Sequence, residues 1–171
     1  MQPPGRIGSD VKRGDLVGRR KRLGRAEDAV STLLRRHFVS VKPAESLLDA
    51  DRIMRLARIR HLPVVEAGRL VGVLSHRDIL HASISRLEER DAGERMDHLR
   101  GISVAEVMHR EPYTATESTT LGDAARRMLR LKIGFLPVVR PGPEGDELVG
   151  LVTESDLLRA AYAPDFEDAS D

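Results

Sequence analysis

Residues 61–80 read HLPVVEAGRLVGVLSHRDIL, and residues 135–158 read FLPVVRPGPEGDELVGLVTESDLL. Each stretch carries Leu-Pro-Val-Val, a turn, Leu-Val-Gly, two apolar residues, then Ser or Thr, any two residues, and Asp. Working outward, residues 30–65 map onto residues 104–139 at a constant offset of 74. Leu47 matches Leu121, Asp49 matches Asp123, Ala50 matches Ala124, Met54 matches Met128 and Ile59 matches Ile133. The second copy then inserts four residues within RPGPEGDE, after which Leu70 matches Leu148, Gly72 matches Gly150, Ser75 matches Thr153 and Asp78 matches Asp156. An insertion placed in a Gly- and Pro-rich turn is cheap, so the pattern is that of one duplicated supersecondary unit.

Both copies predict the same elements. FVSV (38–41) and YTAT (113–116) read as short strands. Leu47, Ala50, Met54 and Ala57 recur at helical spacing, as do Leu121, Ala124, Met128 and Leu131. Ser46-x-x-Asp49 and Thr120-x-x-Asp123 have the form of capping boxes at the starts of those helices. Residues 62–65 and 70–74 are apolar strands joined by EAGR, a hairpin signal, and a second helix follows Ser/Thr-x-x-Asp. The expected fold is α+β, two βαββα repeats packed face to face as one pseudo-twofold module. A single unit would leave one sheet face wet, and the second copy completes the core of the first.

The chain has 171 residues, 40% apolar and 32% charged, a balance suited to a compact domain. Aromatics make up 3%, so Val, Leu, Ile, Met and Ala must build the core. The lack of Cys excludes disulfides, thiolate metal sites and a cysteine nucleophile. No apolar run reaches the length of a membrane span, and residues 1–20 lack the apolar centre of a signal peptide, so a cytoplasmic protein is expected.

The net charge of +1 is unevenly placed. Residues 6–25 hold Arg6, Lys12, Arg13, Arg19, Arg20, Lys21, Arg22 and Arg25 against Asp10 and Asp15, while PDFEDASD at the C-terminus is acidic. The expected organisation is a basic flexible arm over 1–28, repeat one over 29–85, a linker over 86–103, repeat two over 104–163 and an acidic tail over 164–171. Without an aromatic platform or a recognised motif, the arm is expected to be a solvated tail rather than a nucleic-acid contact.

Ser75-x-x-Asp78 and Thr153-x-x-Asp156 have a bland reading, since Ser-x-x-Asp before an apolar helix is itself a cap. Three features point further. The motif occurs in both copies at the end of a strand. A strand running into a helix N-terminus presents N–H groups and a dipole to phosphate. A carboxylate one turn in can accept both hydroxyls of a ribose. Other chemistry finds no footing. His76 and His81 stand five apart, unlike metal ligands on one helical face. There is no phosphate-binding Gly-x-x-x-x-Gly-Lys and no Gly-x-Ser-x-Gly elbow, so no enzyme and no metal or catalytic cofactor are expected.

Taken in order and twice, these motifs resemble a tandem pair of CBS domains, often called a Bateman module, over about residues 29–160. The resemblance implies a regulatory module that binds AMP, ADP, ATP or S-adenosylmethionine between the repeats, forms a homodimer, and transmits occupancy to a regulated protein. It implies that Asp78 and Asp156 hold ribose hydroxyls, with Ser75 and Thr153 at the phosphate end. Arg60, His61 and Leu62, and Gly134, Phe135 and Leu136, would line the two pockets. Each site would borrow the first strand of the other copy: Thr114 and Thr116 for Asp78, Val41 and Lys42 for Asp156. The sites are unequal, because Arg60, His61, His76 and Arg77 surround Asp78 with phosphate donors, whereas Gly134, Phe135, Glu154 and Ser155 stand at the matching positions near Asp156. The Asp78 site is expected to bind more tightly. The alternative is a ligand-free dimerisation or docking module.

Overall fold

The computed structural model describes residues 24–84 and 92–162. The expected acidic tail and the first 23 residues of the arm lie outside them. Repeat one contains α1 (Leu47–Leu56), β1 (His61–Glu66), β2 (Arg69–Ser75) and α2 (His76–Ile84). Repeat two contains α5 (Leu121–Leu131), β3 (Phe135–Arg140), β4 (Glu147–Thr153) and α6 (Glu154–Tyr162). Between them lie α3 (Ala92–Arg100) and the single turn α4 (Val104–Val107). The linker thus contains a helix, and its Leu99 is buried in the core of repeat one.

Local chemistry sets the ends of these elements. The Ser46 and Thr120 hydroxyls accept from the amides of Asp49 and Asp123, satisfying N-terminal donors that a helix leaves unpaired. Arg58 and Lys132, matching positions after the two helices, turn the chain in the left-handed region at φ 53° and 55°. The β1–β2 turn has positive φ at both central residues, Ala67 (50°) and Gly68 (80°), the two-residue hairpin geometry that suits strand twist. Each hairpin is antiparallel, with a register shift at Val64/Val65 and again at Val138/Val139. The hairpins join at Arg69↔Glu147, giving the sheet order β1-β2-β4-β3. The predicted first strands shrink to single parallel bridges, Val41 to Val64 and Ala115 to Val138.

The repeats complete each other by exchanging their leading segments. Val30 is buried in the core of repeat two, with Leu33 and Leu34 packed beside it. Val104 and Met108, from the start of repeat two, are buried in the core of repeat one. The backbone bonds obey the same symmetry: the Val30 amide donates to the Thr119 carbonyl at 2.7 Å and the Val104 amide to the Glu45 carbonyl at 2.8 Å. Residues 24–28 are held on repeat two as well. The Gly24 amide donates to the Ala160 carbonyl, while the Leu121 and Gly122 amides donate to the carbonyls of Asp28 and Ala26.

The exchanged segments explain Gly in both Leu-Val-Gly motifs. The segment holding Leu34 and Arg35 crosses β4, and a Cβ on Gly150 would lie 2.5 Å from Leu34 Cδ1 and 2.7 Å from the Arg35 carbonyl oxygen. The segment holding Met108 and His109 crosses β2, and a Cβ on Gly72 would lie 2.8 Å from Met108 Sδ and 2.9 Å from the His109 carbonyl oxygen. Only a residue without a side chain lets backbone approach so closely.

Candidate functional site

The first residues of β1 and β3 meet where the His61 ring stacks on Phe135 with centroids 4.7 Å apart. These two residues match under the offset of 74. Burial lowers the pKa of His61 below its ordinary 6.5, opposed by the Asp78 carboxylate and aided by Arg60. Burial thus disfavours the charged form of a ring that packs as a partner in an aromatic stack.

A cavity of about 1070 Å³ opens beside this stack, room for a nucleoside phosphate. Repeat one lines it with Arg60, His61, Val73, Ser75, His76, Arg77, Asp78 and Leu80. The exchanged segment adds His109, Pro112 and Tyr113, and repeat two adds Lys132, Ile133, Gly134, Phe135, Pro137 and Glu154. The lining combines three fixed cations (Arg60, Arg77 and Lys132) with two carboxylates, Asp78 and Glu154. His76 is held in place at the wall: its Nε2 stands 3.5 Å from Asp51 Oδ1 on α1, and Asp51 Oδ2 accepts from Arg55 Nε at 2.7 Å.

Ser75 and Asp78 form the cap their spacing predicts. Asp78 Oδ2 accepts from the Ser75 amide at 2.8 Å and from its hydroxyl at 2.6 Å, and the Asp78 amide donates back to Ser75 Oγ at 3.2 Å. The other oxygen, Oδ1, has no hydrogen-bond partner among the described residues. Capping thus uses half of the carboxylate and leaves half available.

Thr153 and Asp156 repeat this geometry, with bonds of 2.8 and 2.7 Å to Asp156 Oδ2. Here Oδ1 is taken. Arg35 Nε donates to it at 2.7 Å, Arg159 Nη1 lies 3.9 Å away, and the aspartate is only 5% exposed. Arg35 is anchored by a reciprocal pair of backbone hydrogen bonds with Leu151.

The structure therefore brings Arg60, His61, Ser75, His76, Arg77, Asp78, Gly134 and Phe135 around one cavity. Leu62 and Leu136 lie behind it as fully buried core. Val41 is buried against Val64 of its own repeat, and the Lys42 carbonyl accepts from the Glu45 amide. The Thr114 carbonyl accepts from Arg127, and the Thr116 amide donates to Thr119 Oγ1. None of these four lines the cavity. The residues lent across the repeats are His109, Pro112 and Tyr113 on one side and Arg35 on the other. These residues carry no motif; their only signal in the sequence is that Arg35 and His109 stand 74 apart.

The model of the CBS domain matches residues 30–85 and 104–163. Among solved structures, protein MJ1225 from Methanocaldococcus jannaschii, described as a putative archaeal homolog of g-AMPK, is 30% identical with a TM-score of 0.68, over 80% of this chain and 48% of that one. The structure of CBSX2 in complex with AMP, a protein of Arabidopsis thaliana, is 30% identical with a TM-score of 0.63, over 78% and 95%. The CBS domain pair of MJ0100, in complex with 5′-methylthioadenosine and S-adenosyl-L-methionine, is 26% identical with a TM-score of 0.61, over 77% and 94%. The chain spans 25% and 46% of the first two curated relatives it matches. With both repeats matched, and with the exchanged segments binding them into one module, the chain belongs to the CBS domain family as a tandem pair.

Proposed function

We propose that the chain is a cytoplasmic sensor module that holds an adenosine-type ligand (AMP, ADP, ATP or S-adenosylmethionine) in the Asp78 cavity and acts by binding rather than catalysis. The observation that carries this reading is the half-used Asp78 carboxylate. Its Oδ2 is fixed by Ser75, while Oδ1 is left to accept from a ribose hydroxyl. Arg60, Arg77 and Lys132 line the same cavity and suit the phosphate or carboxylate end of such a ligand. The relatives that hold AMP, 5′-methylthioadenosine and S-adenosyl-L-methionine support the adenosine class.

Occupancy becomes a signal because the lining comes from both repeats. A ligand touching Asp78, His109 and Lys132 favours the arrangement that holds all three together, and differential affinity is what shifts a population. The transmitted change would reach a regulated protein through a homodimer, for which exposed Leu56, Leu129, Leu158 and Tyr162 supply apolar helix surface. The test is calorimetry with the four ligands on wild type and Asp78→Ala. Loss of charge-assisted bonds should cost about 2–4 kcal/mol, roughly 30- to 1000-fold in affinity. Equal affinity in the variant would overturn the role given to Asp78, and no binding of any of the four would favour a docking module that takes no ligand.

A further inference from the structure

Beyond their flanking residues, the two clefts differ at a matched pair on the exchanged segments. His109 and Arg35 occupy the same place in the fold, each pinned by two backbone hydrogen bonds to the strand of the other repeat: His109 to Val73 at 2.8 and 2.9 Å, Arg35 to Leu151 at 3.1 and 3.2 Å. His109 lines the open cavity. Arg35 instead reaches Asp156 and donates to Oδ1, the oxygen whose counterpart on Asp78 has no hydrogen-bond partner among the described residues.

We infer that Arg35 is a built-in occupant of the second cleft, so that the module takes one adenosine-type ligand per chain, at Asp78. This rests on the functional reading above for its ligand class. The chemistry is that of competition. A ribose presents hydroxyl donors to a carboxylate oxygen, and the Arg35 guanidinium already presents a charged donor there. An ion pair on a carboxylate this buried is not surrendered to a neutral hydroxyl, because a single charged partner offsets the desolvation that a hydroxyl cannot. A tethered donor also carries none of the entropic cost of capturing a free ligand.

Arg35→His copies the residue of the open cleft, and Arg35→Met keeps the aliphatic stem while removing the charge. Native mass spectrometry and calorimetry with AMP, ATP and S-adenosylmethionine give the ligand count per chain. Wild type should bind one, each Arg35 variant should bind one more than wild type, and Asp156→Ala placed on Arg35→Met should abolish that gain. Two ligands per wild-type chain would overturn the inference without any variant. So would folded Arg35 variants that bind no more than wild type. If wild type binds none and Arg35→Met binds one, the latch stands and the reading of the Asp78 cavity falls.

Discussion

Among the described glycines, Gly150 is where an added methyl should disrupt the fold most. The added Cβ lands 2.7 Å from the Arg35 carbonyl oxygen and 2.5 Å from Leu34 Cδ1, where ordinary contact begins at 3.4 Å. The Leu34 side chain can turn aside, but the carbonyl is main chain, so the segment must retreat by about 0.7 Å. That movement stretches the 3.1 and 3.2 Å backbone bonds between Arg35 and Leu151 beyond useful length. Two lost hydrogen bonds at about 0.5–1.5 kcal/mol each, with about 1–3 kcal/mol of overpacking, give a destabilisation of about 2–6 kcal/mol. For a chain of this size the melting temperature should fall by about 4–24 °C. Urea unfolding and thermal melts measure both quantities. Gly101→Ala is the internal control, since its nearest neighbour would lie 3.5 Å from the new Cβ, and it should stay within about 0.5 kcal/mol of wild type. A Gly150→Ala protein no less stable than Gly101→Ala would refute the close crossing of β4 by the Arg35 segment.

Gly72→Ala should cost less, because the main-chain oxygen it meets, that of His109, lies 2.9 Å from the new Cβ rather than 2.7 Å, yet it should weaken ligand binding by pushing His109 out of its place at the cavity; calorimetry on the folded variant checks this. His61 sets a pH dependence. Its folded pKa lies below 6.5 because it is buried, so the unfolded chain takes up the proton first as pH falls. Its contribution is complete above about pH 6.5 and declines as pH drops toward the folded pKa; His61→Phe, copying Phe135, should flatten that part of a melting-temperature profile taken from about pH 8 to about pH 5. Ala67→Asn, in the β1–β2 turn at φ 50°, should raise stability by about 0.5–1 kcal/mol because Asn tolerates the left-handed region, as a denaturant midpoint would record. Light scattering at micromolar concentration should report a dimer that Leu56→Arg combined with Leu129→Arg converts to monomer.

The sequence alone determined the local and the repeated. The offset of 74 with its gap in a Gly-Pro turn, the helical spacing from Leu47 and Leu121, the EAGR hairpin and the Ser/Thr-x-x-Asp caps are each specified by neighbours a few residues apart, and the structure reproduces them. Arg60, His61, Ser75, Arg77 and Asp78 were legible for the same reason, since they flank elements whose ends are set locally. What only the tertiary structure decided is non-local. The leading segment of each repeat completes the core of the other, a contact between stretches whose own periodicity is too short to declare a destination. The strand predicted at YTAT therefore pairs within its own repeat, and His109, Pro112 and Tyr113 reach the cavity in place of Thr114 and Thr116. Asp78 and Asp156 sit in the same motif with the same cap; their neighbours made the Asp78 site the one expected to bind more tightly, but nothing near Asp156 in the sequence shows that its Oδ1 takes an arginine. That arginine is Arg35, 121 residues from Asp156 along the chain, brought to 2.7 Å by a strand crossing that depends on a glycine.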